Sequence, residues 1–599
     1  MCGIAGYCAT SRLSPSKVEQ VRSMQRLLTH RGPDDGGFWE SATAEAVFAH
    51  NRLSIIDLSP LGRQPMPSST GRYAITFNGE IYNFQALRRA LEEDGVRFIS
   101  ATDTEVILHL YEKEGPSCVR RLQGMFAFAI WDEKAKSCFI ARDAFGIKPL
   151  YYALPGQDLA FASELRPLVQ TGLVTKALDP ASVSAFFRTG SVPEPGTLLA
   201  DVRCLPAGHT ALWRQGQFTL EHYWKVRFPT PENLPLAKAA EQTRRALQDS
   251  IDRHFVSDVP VGIFLSGGID STAVLALARA SGKSHLHTYS IALDQTELNE
   301  GPLARRTAEH FGATHHELKL DAELGRTLFD EFLDRMDQPS IDGFNTYVVS
   351  WFARQQNAKV VLSGLGGDEV FGGYSSFQKI PRLWKACRML TSLPGMGKLA
   401  GRVLRSVARS PRLRRLGALL GGKVSLPAVY ETYRGIFTPE EAEKLAQHAT
   451  GAREFVNARD GSPALAANVC DAISELELTR YMRNQLLRDS DVMSMAHGLE
   501  LRVPLVDSTL FDSVAALPAT VRLRPSKQLL LDAVPEIPDW IRNQPKRGFL
   551  FPYAAWLESP RWKPLFDKAL ADKPVTATAW YQRWSMFVFD RWCARYLAP

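Results

Sequence analysis

Two kinds of hydrophobic pattern divide the chain. Over the first 220 or so residues, short apolar or alternating runs are separated by turn-forming residues, as in Tyr73-Ala-Ile-Thr-Phe77, Met125-Phe-Ala-Phe-Ala-Ile-Trp131 and Ser137-Cys-Phe-Ile-Ala141. Runs of that length, rich in aromatic and branched residues, predict strands. Two or three helices are expected among them, one around 83–94 and another around 104–114, so the first part reads as stacked sheets with helices outside. A proline-bearing polar stretch, Phe228-Pro-Thr-Pro-Glu-Asn-Leu-Pro235, reads as a linker. Beyond it the pattern changes to strand, loop and helix: 259–265 then a helix from Ser271, 287–293 then a helix from Gly301, and 359–362 then a glycine-rich loop. That order predicts a parallel sheet. After about residue 375 strand patterns become scarce and a helical extension follows, without internal repeats.

The expected domains are therefore 1–228 and 229–599. A chain of 599 residues has room for a core in each. With 71 Lys+Arg against 64 Asp+Glu the net charge is +7, too weak on this length to point to nucleic acid. Eight cysteines contain no Cys-x-x-Cys pair and no zinc spacing, which suits a reducing cytoplasm. Neither a signal peptide nor a transmembrane run is legible. One segment departs from the average: between Glu369 and Glu431 there is no acid, while Lys379, Arg382, Lys385, Arg388, Lys398, Arg402, Arg405, Arg409, Arg412, Arg414, Arg415 and Lys423 accumulate. Its bland reading is a solvated basic face; peripheral contact of 379–423 with an acidic polymer or a membrane surface is the other.

The candidate chemistry begins at the second residue. Loss of Met1 would leave Cys2 carrying both a thiol and a free α-amine, which titrates near pH 8 and can take the thiol proton. Further on stand His30-Arg-Gly-Pro-Asp34, Asn51-Arg-Leu-Ser-Ile-Ile-Asp57, Phe77-Asn-Gly-Glu-Ile-Tyr-Asn83 and Ser100-Ala-Thr-Asp-Thr-Glu105. Thiolate addition to an amide carbonyl needs donors for the oxyanion, for which Asn78 and Gly79 are candidates. A planar bidentate donor such as Arg52 suits glutamine's α-carboxylate, and Asp103 suits its α-ammonium. Taken singly, Asn-Gly could be a hairpin turn and Asp103 a helix cap. Together the four motifs resemble class II glutamine amidotransferases. That resemblance implies an Ntn-hydrolase sandwich of two antiparallel sheets between helices, with Glu80 joining Arg52 and Asp103 around the glutamine.

In the second half, Asp258-Val-Pro-Val-Gly-Ile-Phe-Leu-Ser-Gly-Gly-Ile-Asp-Ser271 is a buried strand entering a glycine loop and a helix. It resembles the pyrophosphate loop of ATP pyrophosphatases. Gly267 and Gly268 would form a nest of N–H groups, with Ser266 and Ser271 beside it, at the positive end of the helix. No Walker A sequence is present, which favours cleavage between the α and β phosphates and hence adenylation. The loop Val361-Leu-Ser-Gly-Leu-Gly-Gly-Asp-Glu-Val-Phe-Gly-Gly-Tyr374 adds Asp368, which with Asp270 could hold Mg²⁺ against ATP. The resemblance implies that Leu265, Ile291, Ser363 and Gly364 line the adenine and ribose site. It also implies that Lys527 lies near the reacting phosphate.

The order of the two halves resembles glutamine-hydrolysing asparagine synthetases over nearly the whole chain, with Glu500–Asp507 and Pro545–Phe549 as further signatures. The implied reaction is amidation of a carboxylate through an acyl-adenylate, with glutamine, ATP and aspartate as substrates, an internal ammonia passage, and a homodimer. Two departures stand out. Leu365 occupies a position where the family often has glutamate, and Gln338–Tyr347 lacks an arginine to face an α-carboxylate. A different acceptor, such as a surface-polysaccharide uronate or a natural-product acid, is the alternative.

Overall fold

The computed structural model describes residues 2–293, 299–407, 410–454, 466–544, 551, 553, 558–560 and 562–597. The first half is built on two six-stranded antiparallel sheets. In one, Cys2–Cys8 lies between Ala46–Arg52 and Leu159–Ala162, and its register sets Cys2 opposite Arg52. In the other, Tyr73–Ile81 pairs with Gly124–Asp132, which pairs with Ser137–Arg142. The sheets bury Ile4, Phe48, Phe161, Trp131, Ile140 and Trp213 between them. Helices Phe84–Glu93 and Asp103–Glu114 cover the outer face of the second sheet through Leu87, Leu91, Val106 and Leu110. This is the predicted sandwich, with strand Tyr73–Ile81 continuing through Asn78 and Gly79 where a turn was the competing reading.

Helices are more numerous here than the pattern suggested. Pro15–Leu27, Leu165–Gln170 and Pro180–Thr189 are additional. Each is short or mostly polar along its exposed face, so its periodicity is weak in sequence. Pro180–Thr189 buries Phe186 and Phe187 against Phe437, Met586 and Phe589 of the second half, so its apolar partners lie hundreds of residues away.

The second half carries a five-stranded parallel sheet ordered Thr314–Leu320, His287–Leu293, Val261–Phe264, Val360–Leu362, Glu500–Arg502. The last strand lies in the region where strands were thought scarce. Its three residues include a glutamate and an arginine, both fully buried and bonded to each other, so charge hides a core strand from any apolar pattern. A long helical stretch, Val469–Met495, crosses between the halves. Its middle, Glu477–Leu487, winds in wide i→i+5 turns, a geometry that tends to occur beside functional sites. The basic segment forms three helices, Ser376–Thr391, Met396–Val407 and Pro411–Gly421. All eight cysteines are free.

Candidate active sites

Cys2 opens the central strand of the first sheet and is buried. Its backbone N–H donates to Asn78 Oδ1 at 2.9 Å. With the amide oriented that way, Asn78 Nδ2 is buried without a partner. An amide anchored through its oxygen therefore keeps its two donors available beside the thiol. Burial pushes the thiol pKa up, opposed by a bond from the Leu53 backbone N–H and by the Arg52 charge. Arg52 itself donates to the carbonyls of Ser59, Ile56 and Asp57, which hold the guanidinium in place. Gly62 packs so closely on it that a Cβ there would lie 2.0 Å from the Arg52 Nη2, so a side chain at that position would push the guanidinium aside.

Asp103 begins its helix behind the Thr102 cap and accepts the Ile81 N–H at 2.9 Å. Burial raises its carboxyl to about 6. Glu80 is also buried and raised by burial, then by the Glu500 charge, with Arg502 3.5 Å away as the counter-charge. Cys2, Asn78, Gly79, Arg52, Glu80 and Asp103 thus meet at one end of the sandwich. The structure adds two members from the other half, Glu500 and Arg502. Both lay inside a motif noted in the sequence without a role, and their charge at strand positions was the available signal.

The second constellation surrounds the loop after Val261–Phe264. Ser266 Oγ and Ser271 Oγ lie 3.0 Å apart, and Gly268 N–H donates to Ser266 Oγ, so the loop is folded back onto the start of helix Ile269–Ala280. A cavity of about 350 Å³ is lined by Leu265, Ser266, Asp270, Ser271, Ile291, Ser363, Gly364, Leu365 and Asp368. It adjoins a wider cleft of about 660 Å³ lined by Gly267, Gly268, Lys527, Arg434 and Arg542. All the predicted nucleotide-site residues are therefore gathered in two contiguous spaces.

Lys527, only 6 % exposed, reaches between the two carboxylates, pairing with Asp270 and with Asp368 Oδ1 at 2.5 Å. Burial works against its charge, but the two aspartates outweigh it and raise its pKa. Ser526 and Lys527 both have positive φ, 58° and 57°. Two successive non-glycine residues in the left-handed region are costly and cluster at functional sites. The signature Pro545–Phe549 lies outside the described residues.

The constellations are joined by buried charge. Arg31, fully buried, donates from Nε to the Cys2 carbonyl and pairs with Glu164 at 3.0 Å and Asp491 at 2.7 Å. Lys148 pairs with the same Asp491 at 3.2 Å. Two residues before Asp491, Asp489 lines the nucleotide cavity and bonds Ser340. Burial pushes Asp489 up to about 8. Asp342 and Asp489 share that wall, and the cavity's described lining contains no lysine, arginine or histidine.

A thiol-bearing sandwich coupled to a pyrophosphate-loop domain defines the class: glutamine-hydrolysing enzymes that spend ATP to amidate a second substrate. Residues 1–224 match the family of glutamine amidotransferase domains, and residues 242–587 match asparagine synthase. The chain is 32 % identical over 570 residues to glutamine-hydrolysing asparagine synthetase 1 of Bacillus subtilis, covering 93 % of this chain and 88 % of that protein. Asparagine synthetase 3 of the same organism is 29 % identical, with 88 % and 83 % covered. Amidase chry2 of Gibberella zeae is 26 % identical, with 95 % and 91 % covered. The chain belongs to the glutamine-hydrolysing asparagine synthetase family and is a C–N ligase with glutamine as amido donor and ATP as co-substrate.

Proposed function

We propose that Cys2 releases ammonia from glutamine and that the ammonia travels inside the protein to a carboxylate activated as its adenylate, with aspartate as the acceptor that the relatives' names suggest. The observation that carries this reading is that Cys2 is bonded through Arg31 to Asp491, two residues along the same helix from Asp489 in the wall of the nucleotide cavity. Once Met1 is removed, the α-amine takes the thiol proton and the thiolate adds to the glutamine carboxamide. Asn78 Nδ2 and the Gly79 N–H stabilise the oxyanion. The same amine protonates the departing nitrogen, and water cleaves the γ-glutamyl thioester to glutamate. Arg52 receives the α-carboxylate of glutamine through its remaining donors, and Asp103 and Glu80 face its α-ammonium.

In the second site the acceptor carboxylate attacks the α-phosphorus of ATP and pyrophosphate leaves. Ser266, Gly267, Gly268 and Ser271 cradle the phosphates at the helix N-terminus, and Lys527 offsets the charge that develops on pyrophosphate. Asp270 and Asp368 converge on one cation, the Lys527 ammonium, and offer hard oxygen donors. They fit Mg²⁺, which prefers such ligands and usually takes one or two from protein. Bound there, Mg²⁺ would neutralise phosphate charge. Ammonia then attacks the adenylate carbonyl, and AMP leaves. Leu365 accepts no proton, so Asp489, on the same cavity wall, is the group whose raised pKa suits taking the proton that the nitrogen sheds.

The described lining of the smaller cavity, without lysine, arginine or histidine, favours a second reading, in which the acceptor is a different carboxylate without an α-carboxylate to be matched. Incubation with MgATP, amide-¹⁵N glutamine and aspartate, read by mass spectrometry, tests both. Labelled asparagine with AMP and pyrophosphate supports aspartate. Glutamate without labelled asparagine refutes it and directs the assay to other acids.

A further inference from the structure

The basic segment 379–423 takes no part in either site, yet it differs from the rest of the surface in two ways. Nine of its described basic side chains are exposed, and no acid occurs within it. Among the described residues, Arg405 and Arg414 are the ones in this segment paired to a carboxylate, at 3.6 and 3.4 Å. The same segment also exposes Met389, Leu393, Met396, Leu399, Val403 and Leu413, each between 41 and 66 % accessible. Six of the fifteen exposed large apolar residues described thus fall within 25 positions, far above what scattered surface leucines require.

The packing explains why these side chains face outward. Met396–Val407 and Pro411–Gly421 meet through glycines: a Cβ at Gly401 would lie 2.7 Å from both the Gly417 carbonyl oxygen and the Gly421 nitrogen. Backbones that approach so closely use their small residues as the seam, which leaves the large apolar ones on the opposite side. On the helix Met396–Val407, Met396, Leu399 and Val403 follow the i, i+3, i+7 spacing of one stripe. Lys398 and Arg402 lie along one flank of it, while Arg405 sits on the seam side beside Gly417 and Gly421.

We propose that this helical hairpin docks the protein on an anionic lipid surface, the apolar stripe entering the headgroup boundary and the flanking cations facing acidic headgroups. Charge complementarity alone would fit any polyanion; the exposed methionines, leucines and valine select a bilayer, because polynucleotide phosphates offer them no burial. No described helix is long and apolar enough to cross a membrane, so the hairpin lies on the surface. The first of the three helices begins at Ser376, which lines the nucleotide cleft, and reaches Met389 about 20 Å further along. Docking would bring the synthetase site close to the lipid headgroups.

The test uses the full chain and sedimentation with vesicles of phosphatidylcholine alone or mixed with phosphatidylglycerol. Binding is expected to the mixed vesicles only and to fall with added salt. Lys398→Glu combined with Arg402→Glu is expected to weaken partition by about fivefold or more for each cation removed. Leu399→Ser combined with Val403→Ser should weaken it as well, with glutaminase activity unchanged in both variants as the check on folding. No partition into phosphatidylglycerol vesicles would overturn the proposal. So would loss with the charge variant alone, or retention on DNA without vesicle binding, either of which marks a polyanion site.

Discussion

Asn78 serves Cys2 with one end of its amide and leaves the other end open, and this orientation is what suits it to the proposed role of oxyanion donor. Asn78→Ala is expected to lower glutaminase kcat by about 10²-fold or more with a smaller change in KM, as measured by glutamate release. Cys2→Ala should abolish glutamine-dependent synthesis while ammonia-dependent synthesis persists; loss of both in a folded variant would contradict two separate sites. Asp489→Asn should spare acceptor-dependent exchange of pyrophosphate into ATP while amide formation falls, since the carboxylate is assigned to the later step. Equal loss of exchange and synthesis would instead place Asp489 in acceptor binding. These residue types could be read from motifs, except Asp489, which is an ordinary helical acid until the fold buries it in the cavity wall.

Backbone geometry accounts for several element-level choices. The turn at Ser526 and Lys527 holds two left-handed residues so that Lys527 can reach both aspartates, and a Cβ on Gly373 beside it would lie 1.9 Å from Asp368 Oδ1 and 2.3 Å from Lys527 Cε, so a side chain there would displace that pair. The glycine seam of the basic hairpin is equally intolerant. Gly401→Val is expected to destabilise by about 1–3 kcal/mol in urea unfolding, because the helices must separate. Most strands and the two helices over the second sheet were legible from alternation and amphipathic spacing. Glu500–Arg502 and the phenylalanine-bearing helix Pro180–Thr189 were not, because the first is apolar only once its charges pair and the second finds its partners far along the chain.

For the whole molecule, the buried charges between the halves matter most. Glu164 is held down to about 2 against an ordinary 4.5; burial alone would raise it, but His30 and Arg31 outweigh that. The folded chain therefore binds fewer protons than the unfolded chain in this window, so the contribution is full above about pH 4.5 and is lost as pH falls toward 2. Chemical denaturation at a series of acid pH values should show stability declining across that range, and His30→Ala should flatten the decline. Asp491→Ala strands Lys148 in the interior and leaves Arg31 with Glu164 alone, and is expected to cost about 3–5 kcal/mol. An exposed pair at that place would cost far less.

By itself the sequence determined the chemistry of each half: the thiol beside a prospective amine, the glycine loop after a buried strand, the paired aspartates and the unusual run of cations. Those features are local, since a nucleophile, a phosphate nest or a charge run is written in neighbouring residues. Only the tertiary structure decided which distant groups share a space. It brought Glu500 and Arg502 to Cys2, set Asp491 on Arg31 and Lys148, and placed Lys527 between Asp270 and Asp368. Burial and long-range pairing give those charges their roles, and neither is encoded in spacing along the chain.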